Sequence, residues 1–358
     1  MLDALAALVT AESPSGDTAA LAGCAATVDE LFSAVLGRPT SPVTVDGVTH
    51  LRWTGGREPR IALIGHFDTV WPLGTTSRWP FSVDRERATG PGALDMKAGI
   101  VQLVEALATL DDPAVVTVVL TADEEVGSFT SRALIEETAR AVECVLVLEP
   151  SADGRLKIAR KGTGMYTLRV HGRAAHAGLE PENGANALLG LAEVVLAAGR
   201  LGRPELGTTV TPTVASAGTA TNVVPAEAVA ELDVRVWLPE EALRVDADVR
   251  ALHPTVEGTT LEVLGGPNRP PLPEQSAAAL FEQARRCGQR LGLAPLEAVA
   301  VGGGSDGNFT AAVGTPTLDG LGAVGAGAHA EGEHVWLPAM AERAALVAEL
   351  VEALTPRR

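Results

Sequence analysis

Two adjacent glutamates, Glu124 and Glu125, follow an apolar stretch of the sequence and are the first candidates for chemistry. The stretch before them, residues 115–120, is apolar and β-branched, which predicts a buried strand at the centre of a parallel sheet. Open α/β folds bind ligands at the carboxyl edge of such a sheet. One glutamate is therefore placed to bind a metal ion while the other holds a water molecule. Taken alone, the pair also fits an acidic loop that caps the following helix through its dipole.

Two other predicted strands end on side chains of the same chemical kind. His66 and Asp68 stand at the end of the apolar stretch that begins at Ile61, and Glu149 follows the stretch 144–148. Because parallel strands present their carboxyl ends at one edge of a sheet, these side chains are expected to converge. The convergence favours a ligand site over a helix cap.

A binuclear metal site needs a carboxylate that bridges two cations, terminal ligands for each cation, and a base near the attacking water. Imidazole and carboxylate ligands without thiolate suit zinc, cobalt or manganese, and zinc is favoured by its abundance. Asp68 projects to the same side of an extended chain as His66, so it suits a carboxylate that accepts the other imidazole N–H. The candidate ligands are His66, Asp95, Glu125, Glu149 and a late histidine, with Glu124 as the base.

The composition restricts the kind of protein. A chain of 358 residues is long enough for two domains, or for one domain with a large insertion. The hydrophobic content of 46% is typical of a globular protein, and the 3% of aromatic residues implies a core of Ala, Val and Leu. The formal net charge of −17 argues against nucleic acid or an anionic membrane as the main partner.

Compartment and redox state are predicted from the N-terminus and the cysteines. The first residues contain Asp3 and lack the positive segment of a secretory signal, and no apolar run is expected to approach the length of a membrane span. Cys24, Cys144 and Cys287 are too few and too widely spaced for a disulfide framework or a metal knuckle. We therefore expect a cytoplasmic protein with buried thiols.

Alternating strand and helix patterns organise the first part of the chain. Residues 1–36 are predicted to be helical with a break at 13–16, and amphipathic helices are predicted after Asp95 and over 128–140. Together with the strands that end on the candidate ligands, this order predicts an α/β fold with a mostly parallel sheet.

The pattern changes near Lys161. The order βαββαβ that follows predicts a ferredoxin-like inserted domain, and the proline-rich segment 267–273 is expected to form its exit hinge. The chain then resumes α/β character, so the first domain is discontinuous. The predicted boundaries are 1–162 and 270–358 for the catalytic domain and 163–269 for the insertion. The predicted elements after residue 160 are strands at 163–170, 208–217, 228–237, 260–264 and 296–301, and helices at 186–201, 240–252, 276–292 and 339–353.

Eight motifs occur in one order along essentially the whole chain. Each is weak alone, but together they resemble the co-catalytic zinc peptidases and deacylases. That family includes glutamate carboxypeptidases of the folate-cleaving type, acetylornithine deacetylase, succinyl-diaminopimelate desuccinylase and aminoacylase. The motifs are Gly65-His66-Phe67-Asp68-Thr69-Val70, Gly90-Pro91-Gly92 with Asp95-x-Lys97-x-Gly99, Asp123-Glu124-Glu125-x-Gly127-Ser128, Glu149-Pro150, Gly172-x-x-x-His176-Ala177-Gly178, Asn222-Val223-Val224-Pro225, Asp233-Val234-Arg235 and Gly303-Gly304-Ser305-Asp306.

The resemblance implies a role for each candidate ligand. Asp95 would bridge two Zn²⁺ ions, for which Co²⁺ or Mn²⁺ would be possible substitutes. His66 and Glu149 would complete one site, and Glu125 with a late histidine the other. Glu124 would take the proton from a metal-bridging water and deliver it to the leaving nitrogen. The family also has an unusual cis peptide after the bridging aspartate, so one is expected at Asp95–Met96.

The late histidine is ambiguous, because the chain offers both His329 and His334. The family ligand follows a glycine-rich turn and precedes an acid by a few residues, which favours His329. His334 would then be a neighbour of the site, and Glu333 is expected to anchor the turn.

Other residues are carried over from the family by their positions in the later motifs. His176 would stabilise the oxyanion in the active site of the other subunit, which makes the insertion a lid and dimerisation domain. Asn222 and Arg235 match positions near the substrate, although Arg235 also fits a salt bridge within the lid. Arg269 at the hinge would hold a substrate carboxylate. Gly304 and its neighbours would present amides to that carboxylate, or form only a tight turn and cap.

The predicted activity is metal-dependent hydrolysis of an amide bond beside a free α-carboxylate. The residues of the motifs are most similar to those of the glutamate carboxypeptidases. This similarity favours release of a C-terminal amino acid such as glutamate from a small peptide. An N-acyl-amino-acid deacylase of the acetylornithine type is the alternative. A relative that keeps the fold as a metal-free binding scaffold is a third possibility, but every proposed ligand and Glu124 are present.

Overall fold

The computed structural model describes residues 1–355, which form two compact units. Unit 1 comprises Met1–Ala159, Leu272–Val301 and the described part of the chain from Ser305, and unit 2 comprises Arg160–Pro271 with Gly302–Gly304. The α-helices are α1 Leu2–Thr10, α2 Thr18–Leu36, α3 Thr75–Arg78, α4 Ala98–Thr109, α5 Arg132–Arg140, α6 Ala187–Ala198, α7 Pro239–Arg250, α8 Glu274–Arg290, α9 Gly307–Ala312 and α10 Leu337–Leu354. The strands are β1 Ser41–Val45, β2 Val48–Thr54, β3 Ile61–His66, β4 Ser82–Asp84, β5 Arg87–Thr89, β6 Val116–Thr121, β7 Cys144–Val147, β8 Leu156–Arg160, β9 Gly162–His171, β10 Thr209–Ala217, β11 Glu227–Val236, β12 Thr260–Arg269, β13 Ala298–Val301, β14 Thr317–Leu318, β15 Gly325–Ala326 and β16 His334–Trp336.

The main sheet of unit 1 is mixed. Its order is β1-β2-β6-β3-β7-β14, with parallel pairing from β6 to β14 and antiparallel pairing of β1, β2 and β6. The predicted α/β class is confirmed, whereas the parallel arrangement is confined to one side of the sheet. On the antiparallel side, Asp46 and Gly47, both at positive φ, make the tight turn of the hairpin that joins β1 to β2.

Every residue of β3, β6 and β7 is buried, because helices cover both faces of the sheet. Alternate residues of β3 face opposite ways. Ile61 and Leu63 belong to the large core that includes α2, α4 and α10, and Ala62 and Ile64 belong to a smaller core with residues of α5 and α9. The apolar stretch that begins at Ile61 therefore forms a central strand that is packed on both faces, as predicted.

Helix α2 corrects the expectation about apolar runs. It has 19 residues, and an 18-residue window within it has a mean hydropathy of 1.5, so by length and composition it could cross a membrane. Five of its residues are nevertheless buried in unit 1, and Asp17 caps its first turn by accepting from the amides of Ala19 and Ala20. Length and composition alone therefore do not distinguish a membrane span from an apolar helix that supplies core residues to a folded unit.

Unit 2 contains a four-stranded antiparallel sheet in the order β10-β11-β9-β12, with α6 between β9 and β10 and α7 between β11 and β12. Alternate residues of β9 and β11, such as Leu168 and Leu232, pack with α6 and α7 in one core. The observed element order is βαββαβ. The segment expected to be an exit hinge is partly strand, because β12 continues through Pro267 to Arg269. The domain division at 162/163 and 269/270 stays a prediction.

Candidate metal centre

Three strands of the parallel side of the sheet bring the candidate ligand residues to one edge. His66 is the last residue of β3 and pairs in register with Thr121, the last residue of β6. A short 3₁₀ turn at Glu124–Val126 follows β6, and Glu149 lies two residues beyond β7. The carboxyl ends of β3, β6 and β7 therefore carry the histidine and the acids predicted from the sequence.

Asp95 reaches this edge from the turn before α4. The peptide bond between Asp95 and Met96 is cis, as expected from the family resemblance. The two carboxylate oxygens of Asp95 face different partners. Oδ1 lies 3.3 Å from Nε2 of His66, and Oδ2 lies 3.4 Å from Nε2 of His329.

Each histidine has a second carboxylate beside it. Nε2 of His66 is 3.3 Å from Oε1 of Glu149, and Nε2 of His329 is 3.2 Å from Oε2 of Glu125. The side chains thus form two groups, one led by each histidine, and both groups include Asp95. His334, the other late histidine, instead lies in β16, where it pairs with Ala326 of β15. Its Nδ1 lies 3.1 Å from the carbonyl oxygen of Gly332.

The donor atoms of this cluster fit divalent cations. Nε2 of His66, Oδ1 of Asp95 and Oε1 of Glu125 are buried, and none makes a hydrogen bond within residues 1–355. Ligand atoms of His66, Glu124 and Glu149 lie within 4.8 Å of one another, as do those of His66, Asp95 and Glu125. Buried polar atoms rarely lack partners, and imidazole with carboxylate is a donor set for zinc and related metals.

The electrostatic field at the cluster is strongly negative. It raises the pKa of His329 to about 10 through contacts with Asp95 and Glu125, and it raises the pKa of His66 although burial opposes this. Burial would raise the pKa of Asp95, but His329 and His66 hold it below its usual range. Burial also raises the pKa of Glu125. A site with this field favours positive charge.

Asp68 does more than the sequence suggested. Nδ1 of His66 lies 3.0 Å from the main-chain oxygen of Asp68 and 3.4 Å from its carboxylate Oδ1. The buried carboxylate accepts from the amides of Glu124 and Glu125, each at 3.2 Å, and from Oγ of Ser15 at 2.7 Å. Asp68 therefore orients His66 and holds the backbone of both glutamates.

Two further aspartates, which belong to the motifs but were given no role from the sequence, fix the loop after β6. Asp123 accepts from the amide and hydroxyl groups of Thr130 and Ser131, at 2.6 to 3.3 Å. Asp306 accepts from the hydroxyls of Thr121 and Ser128. These bonds explain why α5 begins at Arg132 rather than at residue 128 as predicted. Thr130 and Ser131 lie seven and eight residues after Asp123, beyond the reach of an Asx turn, so no local pattern signalled these bonds.

In unit 2 the structure brings His176 and Asn222 together. The amide of Ala177 donates to the main-chain oxygen of Asn222 at 2.9 Å, and His176 forms an isolated antiparallel β-bridge with Val223. The imidazole is exposed, and its Nδ1 accepts from the amides of Gly178 and Leu179 at 3.1 and 3.2 Å. Since both partners are donors, the proton of the neutral ring lies on Nε2.

The other predicted substrate residues of unit 2 form two separate groups. Arg235 makes a bidentate ion pair with Asp233, with nitrogen–oxygen distances of 2.7 to 3.1 Å. Gly304 packs closely against Arg269, because an added Cβ would come within 3.1 Å of its Cδ. Arg160 donates to the main-chain oxygens of Gly303 and Gly304. Arg160 thus holds the segment Gly303–Gly304, and Gly304 lies against Arg269.

Comparison with known proteins decides the family. The profile of peptidase family M20/M25/M40 matches residues 62–353, which span the strands and turns that carry the cluster of candidate metal ligands. The chain belongs to this family. Its members are hydrolases, so this M20 protein is a peptidase or amidohydrolase.

Two curated relatives of this M20 protein represent two branches of that chemistry. It is 29% identical over 98% of its length to carboxypeptidase G2 of Pseudomonas sp. strain RS-16, of which it covers 88%. It is 31% identical over 51% of its length to succinyl-diaminopimelate desuccinylase of Caulobacter vibrioides, of which it spans about half, 52%. Among solved structures, an M20 family metallo-carboxypeptidase from Sulfolobus solfataricus matches with a TM-score of 0.77 at 16% identity, covering 98% of both chains. This last likeness shows the fold.

Proposed function

We propose that this M20 protein is a dinuclear-metal hydrolase that cleaves an amide bond beside a free α-carboxylate. The observation that carries the proposal is the position of Asp95. Its two oxygens face two histidines, His66 and His329, each of which lies beside a further acid. A carboxylate between two such groups suits the ligand that two cations share.

His66, Asp95 and Glu149 would hold one cation, and Asp95, Glu125 and His329 the other. Zinc is the favoured metal, with cobalt or manganese as possible substitutes, because the donors are imidazole and carboxylate. When bound, the cations polarise the scissile carbonyl and lower the pKa of water towards neutrality.

Glu124 is the general base in this proposal. It is buried, and one of its carboxylate oxygens lies within 4.8 Å of a ligand atom of His66 and of Glu149. It would take a proton from the attacking water and deliver it to the leaving nitrogen. Asp68 supports this step by holding the amide of Glu124, so the carboxylate starts from a fixed backbone.

The favoured substrate is a small peptide from which a C-terminal amino acid such as glutamate is released. The supporting fact is the similarity to carboxypeptidase G2, which extends over nearly the whole chain. Arg269, with Gly304 packed against it, is the candidate clamp for the substrate carboxylate. Arg235 would have to exchange Asp233 for substrate to play the same part.

We also propose that His176 stabilises the oxyanion of the tetrahedral intermediate. Its neutral ring presents Nε2–H as a donor, which is the group such a role requires. Asn222 beside it would contact the same part of the substrate. In this proposal His176 acts in the active site of a second subunit. Residues 163–269 would then form a lid and dimerisation domain of a cytoplasmic homodimer.

The alternative function is an N-acyl-amino-acid deacylase of the acetylornithine type. The match to a succinyl-diaminopimelate desuccinylase over half of the chain favours it. Measurement of kcat/KM on peptidyl glutamates and on N-acyl amino acids, under one metal condition, separates the two functions. Higher kcat/KM on N-acetylornithine than on every peptidyl substrate would select the deacylase.

The substitution Glu124→Ala tests the mechanism and the third possibility, a metal-free binding scaffold. We expect kcat to fall by about 10²- to 10⁴-fold, since general base catalysis contributes this much, while the metal content stays that of the wild type. Glu137→Ala, on the exposed side of α5, is the matched control and should retain activity. Wild-type hydrolysis by the Glu124 variant would refute the mechanism, and a wild-type chain that binds no metal would select the scaffold.

A further inference from the structure

Glu333 is a fully buried carboxylate that accepts four hydrogen bonds. Oε1 accepts from the amides of Leu94 and Asp95 at 2.7 and 2.9 Å. Oε2 accepts from the amide of Gly92 at 3.1 Å and from the indole N–H of Trp71 at 3.0 Å. Its exposed fraction is 0%, so these neutral donors take the place of water around the charge.

Three of these bonds fix the turn that carries Asp95. The donors at Gly92, Leu94 and Asp95 belong to one short segment, so the carboxylate holds it at three points. The amide of Asp95 itself is one of them, which sets the position from which its side chain leaves the backbone. The acid expected to anchor its own turn therefore anchors a segment far away in sequence.

Glu333 also closes the turn that carries His329. The amide of Glu333 donates to the carbonyl oxygen of Ala330 at 3.0 Å, and the amide of Ala330 donates to that of Gly327 at 2.9 Å. His329 has a φ of 62° between them, a conformation that needs support from its surroundings. One residue thus ties together the backbone segments of His329 and Asp95.

We propose that Glu333 is a positioning residue for the second cation, the one assigned to Asp95, Glu125 and His329. It holds two of these three ligands in register and contacts no reacting atom. The inference rests on the proposed function, because it requires Asp95 and His329 to bind a cation. Groups that orient metal ligands typically change metal affinity by about 10- to 100-fold when they are removed.

The test is titration of the metal-free full chain with Co²⁺, followed by calorimetry and by the visible spectrum of the bound ion. Glu333→Gln keeps the size of the side chain but turns one acceptor oxygen into a donor. We expect one of the two equivalents of Co²⁺ to bind about 10- to 100-fold more weakly, with a smaller effect on the other. Glu331→Gln is the control, since Glu331 is exposed on the same turn and pairs with Arg78, and its affinities should be those of the wild type.

Trp71→Phe keeps the test decisive if Glu333→Gln does not fold. It removes one of the four donors and should weaken binding of the same equivalent of Co²⁺ by less than Glu333→Gln does. Wild-type Co²⁺ affinities in a folded Glu333→Gln protein, or failing that in Trp71→Phe, would overturn the proposal. A purely structural role would lower the thermal midpoint of the metal-free protein and leave both affinities unchanged.

The wild-type titration separates this inference from the proposed function. Two equivalents of Co²⁺ bound by the wild type, with unchanged affinities in the variants, would overturn the positioning role alone. Fewer than two equivalents bound by the wild type would overturn the dinuclear site on which the inference rests.

Discussion

Asp68→Asn is predicted to loosen the backbone of the two glutamates. In the native protein each carboxylate oxygen of Asp68 accepts from one amide, Oδ1 from Glu124 and Oδ2 from Glu125. The substitution turns one of these oxygens into an NH₂ group, so one amide must face a donor. The hydroxyl of Ser15 can reverse its role and accept from the new NH₂ group, which leaves a single unsatisfied amide.

The magnitude follows from that count. One buried donor without an acceptor costs about 1–3 kcal/mol. The cost falls on the closed state of the turn, so the local opening equilibrium should shift by about 5- to 150-fold. Native-state hydrogen exchange of the segment 122–126 measures this directly. We also expect kcat/KM to fall by about 10- to 100-fold, because the turn carries the proposed base and a proposed metal ligand.

Ser15→Ala is the matched control for this prediction. It removes the third donor to Asp68 but leaves both amides with their acceptors, so exchange at Glu124 and Glu125 should stay near that of the wild type. Wild-type exchange rates in Asp68→Asn would refute the argument that this carboxylate holds the turn.

Two other predictions concern the metals and a buried acid of unit 2. Treatment with a chelator should abolish hydrolysis, and added Zn²⁺ or Co²⁺ should restore it; activity that is indifferent to both treatments would contradict the metal assignment. Glu241 has its pKa lowered to about 2 by hydrogen bonds from Arg244 and Thr208. Because this pKa lies below the unfolded value, the stabilisation is present above pH ~4.5 and is lost as the pH falls towards 2. The thermal midpoint of Glu241→Gln should therefore be lower than that of the wild type at pH 7, and the difference should shrink on acidification. Glu240→Gln is the control, and its thermal midpoint should follow that of the wild type.

Local sequence patterns predicted the elements better than their partners. Asp17 and Asn186 cap α2 and α6, and both are short polar residues placed before an apolar helix. The antiparallel pairing of β2 with β6 was missed, because strand direction there depends on pairing between segments that are distant in sequence. The extension of β12 to Arg269 was missed because a proline-rich segment favours a break, although the ladder of β12 with β9 accommodates it through an irregular register near Pro267.

The candidate site was predictable where strands end and less so where loops meet. His66, the glutamate pair and Glu149 follow strands that the apolar runs already revealed, so their convergence followed from the rules of parallel sheets. The three bonds from main-chain amides to Glu333 join segments about 240 residues apart in the chain, and no local pattern reports such a contact. The resemblance to a known family supplied the bridge and the late histidine, which spacing alone left open.

Anomalous diffraction from crystals of the zinc-loaded protein tests the central claim most directly. We predict two zinc peaks per chain, about 3.5–4 Å apart, each bound to a different carboxylate oxygen of Asp95. One peak should have His66 and Glu149 as its other ligands, and the second should have Glu125 and His329. A single peak, or two peaks that do not share Asp95, would contradict the account.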